Sequence, residues 1–273
     1  MKGGRGLVVT GVVLVAAMVL AAVAAPLLAR YDPAAQGVGP VLAGPSAEHW
    51  FGTDRFGRDV ASRLLHGGRT TLLATAAALV VVVAVGVVVG AVVAAAGAIV
   101  DRLARRLFDL LVAFPVMVVA LALVGLWGPS LRTALTGALL VLWAPFARLS
   151  RALVRAALAE PSAVTARALG AGRWRLVRHE VWPRLRGPVL VLAAVESAQL
   201  IGVVAGLSFL GLGAQPPSPE WGAMLQEGRA ALWSAPHLVF APGLAVLTTV
   251  AGLTCIAEGL RDVLDRAGQA MPS

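Results

Sequence analysis

The sequence predicts an all-α protein that crosses a membrane about six times. Three observations carry this. Hydrophobic residues make up 59 % of the 273, with a mean hydropathy of +0.84, too apolar for a soluble domain of this size. Charged residues are 14 % of the chain and fall between long apolar runs rather than through them. The basic residues crowd into alternate polar stretches, as they do when loops retained on the cytoplasmic side hold a topology.

The first span is expected over about Leu7–Ala29. Lys2, Arg5 and the AVAAP run imitate a signal peptide, but the apolar stretch is longer than an ordinary signal core, which favours an uncleaved span. A polar segment with Pro33, Pro40 and Pro45 follows. Within it, Asp54, Arg55, Arg58 and Asp59 can neutralise one another, and Val60, Leu64 and Leu65 predict a short helix lying at the interface. The second span covers about Thr71–Ala98. Its Gly86, Gly90, Ala94 and Ala98 recur every four residues, a smooth face for close helix contact. Asp101–Arg106 reads as a short basic loop. The third span is about Leu107–Trp127 with a kink at Pro115, and Gly128-Pro129-Ser130 makes a turn. The fourth, about Leu131–Phe146, is short and ends near Pro145. The fifth is about Pro188–Leu212. A proline-rich loop, Ala214–His237, precedes the sixth, about Leu238–Glu258. In domain terms, 1–69 is an anchor helix with an extracytoplasmic segment. Residues 70–262 form the core with a cytoplasmic loop at 148–187, and 263–273 is a cytoplasmic tail.

Six spans put both termini on one side. That side carries 16 Lys and Arg and the other 7, which places both termini and the 148–187 loop in the cytoplasm. The +9 net charge is then the mark of cytoplasmic loops, not of a nucleic-acid partner.

The 148–187 loop has internal order. Pro161 can open a helix, Ala163, Ala166 and Leu169 follow at helical spacing, and Gly170 stands where a left-handed cap belongs. A second short helix, roughly Trp174–Val181, fits before Pro183. Two readings stay open: a docking knob of small residues ringed by arginines, or an ordinary basic loop that fixes topology. Glu196 is the one acidic group deep in a span, roughly 12 Å past Pro188 at a helical rise. It either faces a pathway or lies near the headgroups of a span that begins later.

Enzyme chemistry finds little support. The only lysine, Lys2, is followed by Gly3, so there is no phosphate-binding Gly-Lys-Ser/Thr loop. His179-Glu180 is not followed by a second histidine at the spacing of a zinc protease, and Gly206-Leu207-Ser208 is followed by Phe209 rather than glycine. The four histidines lack metal-ligand spacing, and Cys255 is alone.

Three motifs resemble one family, the inner-membrane permease subunits of ABC importers of the dipeptide/oligopeptide/nickel group. The first runs from Gly52-Thr53-Asp54 through Gly57-Arg58-Asp59 to Ser62-Arg63. The second is Ala166-Arg167-Ala168-Leu169-Gly170 with Arg178-His179 and Pro183. The third is Ser208–Leu225, with Gly259–Asp262 closing the last span. Two departures stand out: Val164-Thr165-Ala166 aligns with the family's Glu-Ala-Ala, and Arg184 replaces an asparagine. The resemblance implies an ABC-importer permease fold and a transport subunit rather than an enzyme. It implies a second, similar permease, two cytoplasmic ATPase subunits that hold ATP and Mg, and an extracytoplasmic binding protein. This chain itself would bind no cofactor and no metal; its other contact is membrane lipid. Ala163, Ala166, Arg167, Ala168, Leu169, Gly170 and Pro183 would form the ATPase-docking loop, the small residues entering a cleft. Gly52, Asp54, Gly57, Arg58 and Asp59 would form an extracytoplasmic motif, and Glu196 is the pathway candidate. Short peptides are the expected solute and nickel the rival, with a membrane-embedded enzyme the least supported alternative.

Overall fold

The computed structural model describes residues 2–269; the regular elements among them are helices, with no strand, and 30–59 and 210–220 are turns and irregular chain. The helices are α1 (Lys2–Val23), α2 (Ala25–Leu28), α3 (Val60–Ala95), α4 (Ala98–Ala113), α5 (Val116–Trp127), α6 (Leu131–Ala159), α7 (Pro161–Ala168), α8 (Arg173–Leu176), α9 (Trp182–Phe209), α10 (Trp221–Gly228) and α11 (His237–Gln269). Five segments are long and apolar enough to cross a membrane, and α4 with α5 makes a sixth if that bent pair counts as one.

Length sets where these helices begin and end. α3 has 36 residues, roughly 54 Å, against about 30 Å of hydrocarbon. Its first turns therefore stand clear of the bilayer. The predicted interfacial helix at Val60–Leu65 is not separate; it is the start of α3, so the expected boundary at 69/70 falls inside one helix. Asp59 caps it, accepting the Ser62 N–H at 2.7 Å.

Two proline boundaries are also corrected. α6 runs through Pro145 to Ala159 rather than ending near Phe146. A helix-interior proline costs about 3 kcal/mol, yet Ala144, Phe146 and Ala147 beside it are fully buried. That packing holds the helix together. Pro183 does not end a helix either. The chain passes from α8 through a wide π turn, Val177–Val181, straight into α9, and Pro183 lies in the first turn of α9, where no N–H is required. Likewise the Asp101–Arg106 stretch is not a loop; it forms the first turns of α4. The kink expected at Pro115 is a full break, with α4 and α5 at 81°.

The core is a four-helix contact. Val82 of α3, Ala120 of α5, Ala138, Leu142 and Phe146 of α6, and Leu200, Val204 and Leu207 of α9 meet in one buried cluster. Gly86 and Gly90 lie against Phe146 and Ser150 of α6, where a methyl group would collide, so that part of the expected small-residue face is used; α3 ends at Ala95, and Ala98 opens α4 and is exposed. α1 packs chiefly on α11, which in turn packs on α9.

Candidate functional site

Polar structure gathers at the two ends of the bundle. At one end stands the 52–63 motif. Gly52 and Gly57 have φ of +72° and +65°, which favours glycine at both turns. Asp54 fills the loop between them. Its Oδ1 accepts the N–H groups of Phe56 at 2.8 Å and Arg58 at 3.0 Å, and its Oδ2 accepts Arg58 Nε at 2.6 Å. Asp59, besides capping α3, pairs with His49 Nδ1 at 2.9 Å. Arg55 takes no part in the expected neutralisation and lies over the Phe56 ring.

The motif does not close on itself. Arg58 donates to Glu227 of α10, and Arg63 Nη2 reaches both oxygens of the same carboxylate at 3.1 and 3.2 Å. Asp54, Arg58, Arg63 and Glu227 are all buried, so two acids balance two bases away from water. Glu220 repeats the pattern nearby: it caps α10 through Ala223 N–H at 2.9 Å and accepts the Thr71 hydroxyl of α3 at 3.0 Å. Trp221 Nε1 donates to the Leu64 carbonyl at 3.0 Å. The proline-rich loop is thereby fixed to the start of α3.

At the other end lies the 160–187 segment. Pro161 opens α7 as the sequence predicts, and Gly170 has φ +82°. The Ala171 N–H reaches the Ala166 carbonyl at 2.9 Å and the Gly170 N–H the Arg167 carbonyl at 3.0 Å, the paired bonds of a left-handed helix end. Nothing would touch a Cβ on Gly170, so backbone conformation, not space, selects glycine there.

The faces of α7 correct one expectation. Ala163 is fully buried, so its small side chain serves internal packing and is not offered to a partner. Ala166 is half-buried, while Ala168, Gly170 and Pro183 are exposed. Val164 (52 % exposed), Leu169 (84 %) and Trp174 (74 %) present a bare apolar surface. Arg167 bends back to the Leu158 carbonyl and covers the end of α6.

Two acids tie this end to the bundle. Glu180 accepts the Ser162 hydroxyl at 2.8 Å and Arg184 Nη1 at 3.0 Å, joining α7 to the π turn; these bonds hold its carboxyl below the usual range. Asp101 of α4 is buried and takes Arg151 in a two-pronged pair at 2.5 and 2.7 Å, with Arg155 at 2.7 Å, both from α6. Sequence reading missed Glu227, Glu220, Glu180 and Asp101. For Glu227 and Glu220 the partners lie on a distant element; Glu180 and Asp101 also have an arginine four residues on, but Ser162 and the Arg151–Arg155 pair that tie them to other helices are far off in the chain.

Glu196 lies near the middle of α9 and is buried. Its Oε2 has no hydrogen-bond partner among the described residues.

Apolar helices with a folded polar cap at each end define a multi-pass membrane protein. Residues 83–267 match the family described as binding-protein-dependent transport system inner membrane component. The chain belongs to this family, whose members are permease subunits of ABC transporters and not enzymes. It is 40 % identical to the dipeptide transport system permease protein DppC of Escherichia coli K12 over 270 residues, covering 97 % of this chain and 90 % of the relative. Against the protein of the same name from Alkalihalophilus pseudofirmus it is 38 % identical, covering 95 % and 85 %. Against the glutathione transport system permease protein GsiD of Escherichia coli UTI89 it is 39 % identical, covering 81 % and 73 %.

Proposed function

We propose that this chain forms part of the translocation pathway for short peptides in an ATP-driven importer. One observation carries the choice of solute. Relatives named for dipeptide and glutathione transport share 38–40 % identity with this chain along most of its length. The chain pairs with a second, similar permease. An extracytoplasmic binding protein delivers peptide to the end bearing the 52–63 motif and α10. Two cytoplasmic ATPase subunits, which hold ATP and Mg, grip the 160–187 segment. Both termini lie in the cytoplasm, consistent with the 16-to-7 excess of basic residues on that side.

The geometry supports this division of labour. Val164, Leu169 and Trp174 form an exposed apolar knob stiffened by the Gly170 cap and the Ser162–Glu180–Arg184 bonds. A rigid knob transmits displacement; a slack loop absorbs it. Arg151 and Arg155 sit on the same helix that leads into the knob and hold Asp101, so movement of the knob reaches α4. The pathway then opens by rocking of packed helices.

The test is uptake in cells lacking their own peptide and nickel importers, supplied with this chain and its natural partners. Labelled dipeptide accumulates in an ATP-dependent manner and nickel does not. Nickel accumulation without dipeptide uptake would reverse the choice of solute.

A further inference from the structure

A cavity of about 360 Å³ opens beside the break between α4 and α5. Phe114 and Pro115 line it at the break, Val141 and Pro145 from α6, and Glu196 and Gln199 from α9. Glu196 is only 7 % exposed, and its Oε2 meets no donor among the described residues. A carboxylate in that position, buried and without a protein partner, is costly to keep charged, so it takes up a proton or a cation from the cavity. Gln199 stands one turn further along α9, at the rim, and is exposed. A bare amide near mid-span is disfavoured against lipid, so this face looks onto a partner helix or a watery path.

Two further features agree. Pro145 has no N–H, so the Val141 carbonyl on the cavity wall lacks its helical donor and offers a second acceptor. A larger cavity, about 550 Å³, also touches Pro145 and continues along α6, α9 and α11 to Arg148, Arg261 and Asp265. The two cavities therefore follow one another along the same face of α9, through Val191, Val195 and Gln199. The chemistry at the inner cavity is acceptor-rich: a carboxylate, an amide and a free carbonyl.

We propose that Glu196, with Gln199 at its rim, is a cation-accepting station on the translocation path that takes the ammonium end of a passing peptide. The proposal rests on the peptide reading above. A free amino terminus is the one positive group every unmodified short peptide carries, so a single carboxylate serves peptides of differing side chains. One carboxylate with weak neighbours holds an ammonium briefly, as a path requires.

The experiment uses the complete importer, this chain with its partners and binding protein, and labelled alanyl-alanine. Four variants are compared: Glu196→Gln, Glu196→Asp, Gln199→Lys and Gln199→Glu, with co-purification of the ATPase subunits as the measure of assembly. Glu196→Gln is expected to cut uptake by about tenfold or more, and Glu196→Asp to stay within about threefold of the unaltered importer. Gln199→Lys tethers an ammonium one turn from Glu196 and is expected to block uptake; Gln199→Glu is not. Gln199 is exposed, so its variants report even where Glu196→Gln fails to assemble. Wild-type uptake by assembled Gln199→Lys, or by assembled Glu196→Gln, overturns the station and leaves the peptide reading standing. An unaltered importer that takes up no dipeptide overturns both.

Discussion

At the residue scale, buried charge decides most. Glu227 is the common partner of Arg58 and Arg63, all buried, and removing it leaves two arginines to share Asp54, with one positive charge uncompensated in a poor solvent for charge. Glu227→Gln is expected to cost about 3 kcal/mol or more, read as a lowered thermal unfolding midpoint of the purified protein in detergent. An unchanged midpoint would mean the network is solvated. Gly170 answers to a different term. A β-branched residue at φ +82° is strained, whereas asparagine tolerates that region. Gly170→Val is expected to lose ATPase co-purification and uptake, Gly170→Asn to keep most of both; normal behaviour of Gly170→Val would leave the loop a topological one. Gly170 was legible in sequence because a left-handed helix end favours one residue type, whereas Gly52 and Gly57 were marked only by the motif they belong to. Glu227 was not legible, because its partners lie 164 and 169 residues away in the chain.

At the element scale, hydropathy locates the apolar middle of a helix and says little about its ends. α3, α6, α9 and α11 all run past their apolar windows, since backbone hydrogen bonding continues into the headgroup region and beyond. Pro145 and Pro183 looked like stops and Pro188 like a start; all three are accommodated, Pro145 and Pro188 within helices and Pro183 in the first turn of α9. α4 shows the opposite limit. Its charges read as a loop, but Asp101 is drawn inward by Arg151 and Arg155, leaving Ile99, Leu103 and Leu107 exposed on the outer side of the helix. Asp101→Ala is expected to free α4 from α6. In inside-out membrane vesicles, trypsin should then cut faster at Arg102, Arg105 and Arg106, and dipeptide uptake should fall. Equal cutting in the variant and the unaltered protein would show that packing around Phe108 alone holds α4.

At the scale of the whole molecule, the two polar ends do different work only if they face different compartments. The fold puts the Gly170 turn and the Glu227 network at opposite ends of the bundle, joined by the shared core of α3, α6 and α9. The number of crossings and the basic asymmetry were readable from the sequence; the long-range fastening of α10 onto α3 was not, because it depends on tertiary pairing. Orientation is the claim on which every assignment above depends, and one labelling experiment reaches it. Single cysteines are placed at Ser218 and at Ser162 in a Cys255→Ala background and probed in intact cells with a thiol reagent that does not cross the membrane. The account predicts labelling at 218, in the proline-rich loop, and none at 162, in α7, until the membrane is permeabilised. Labelling at 162 with protection at 218 would contradict it.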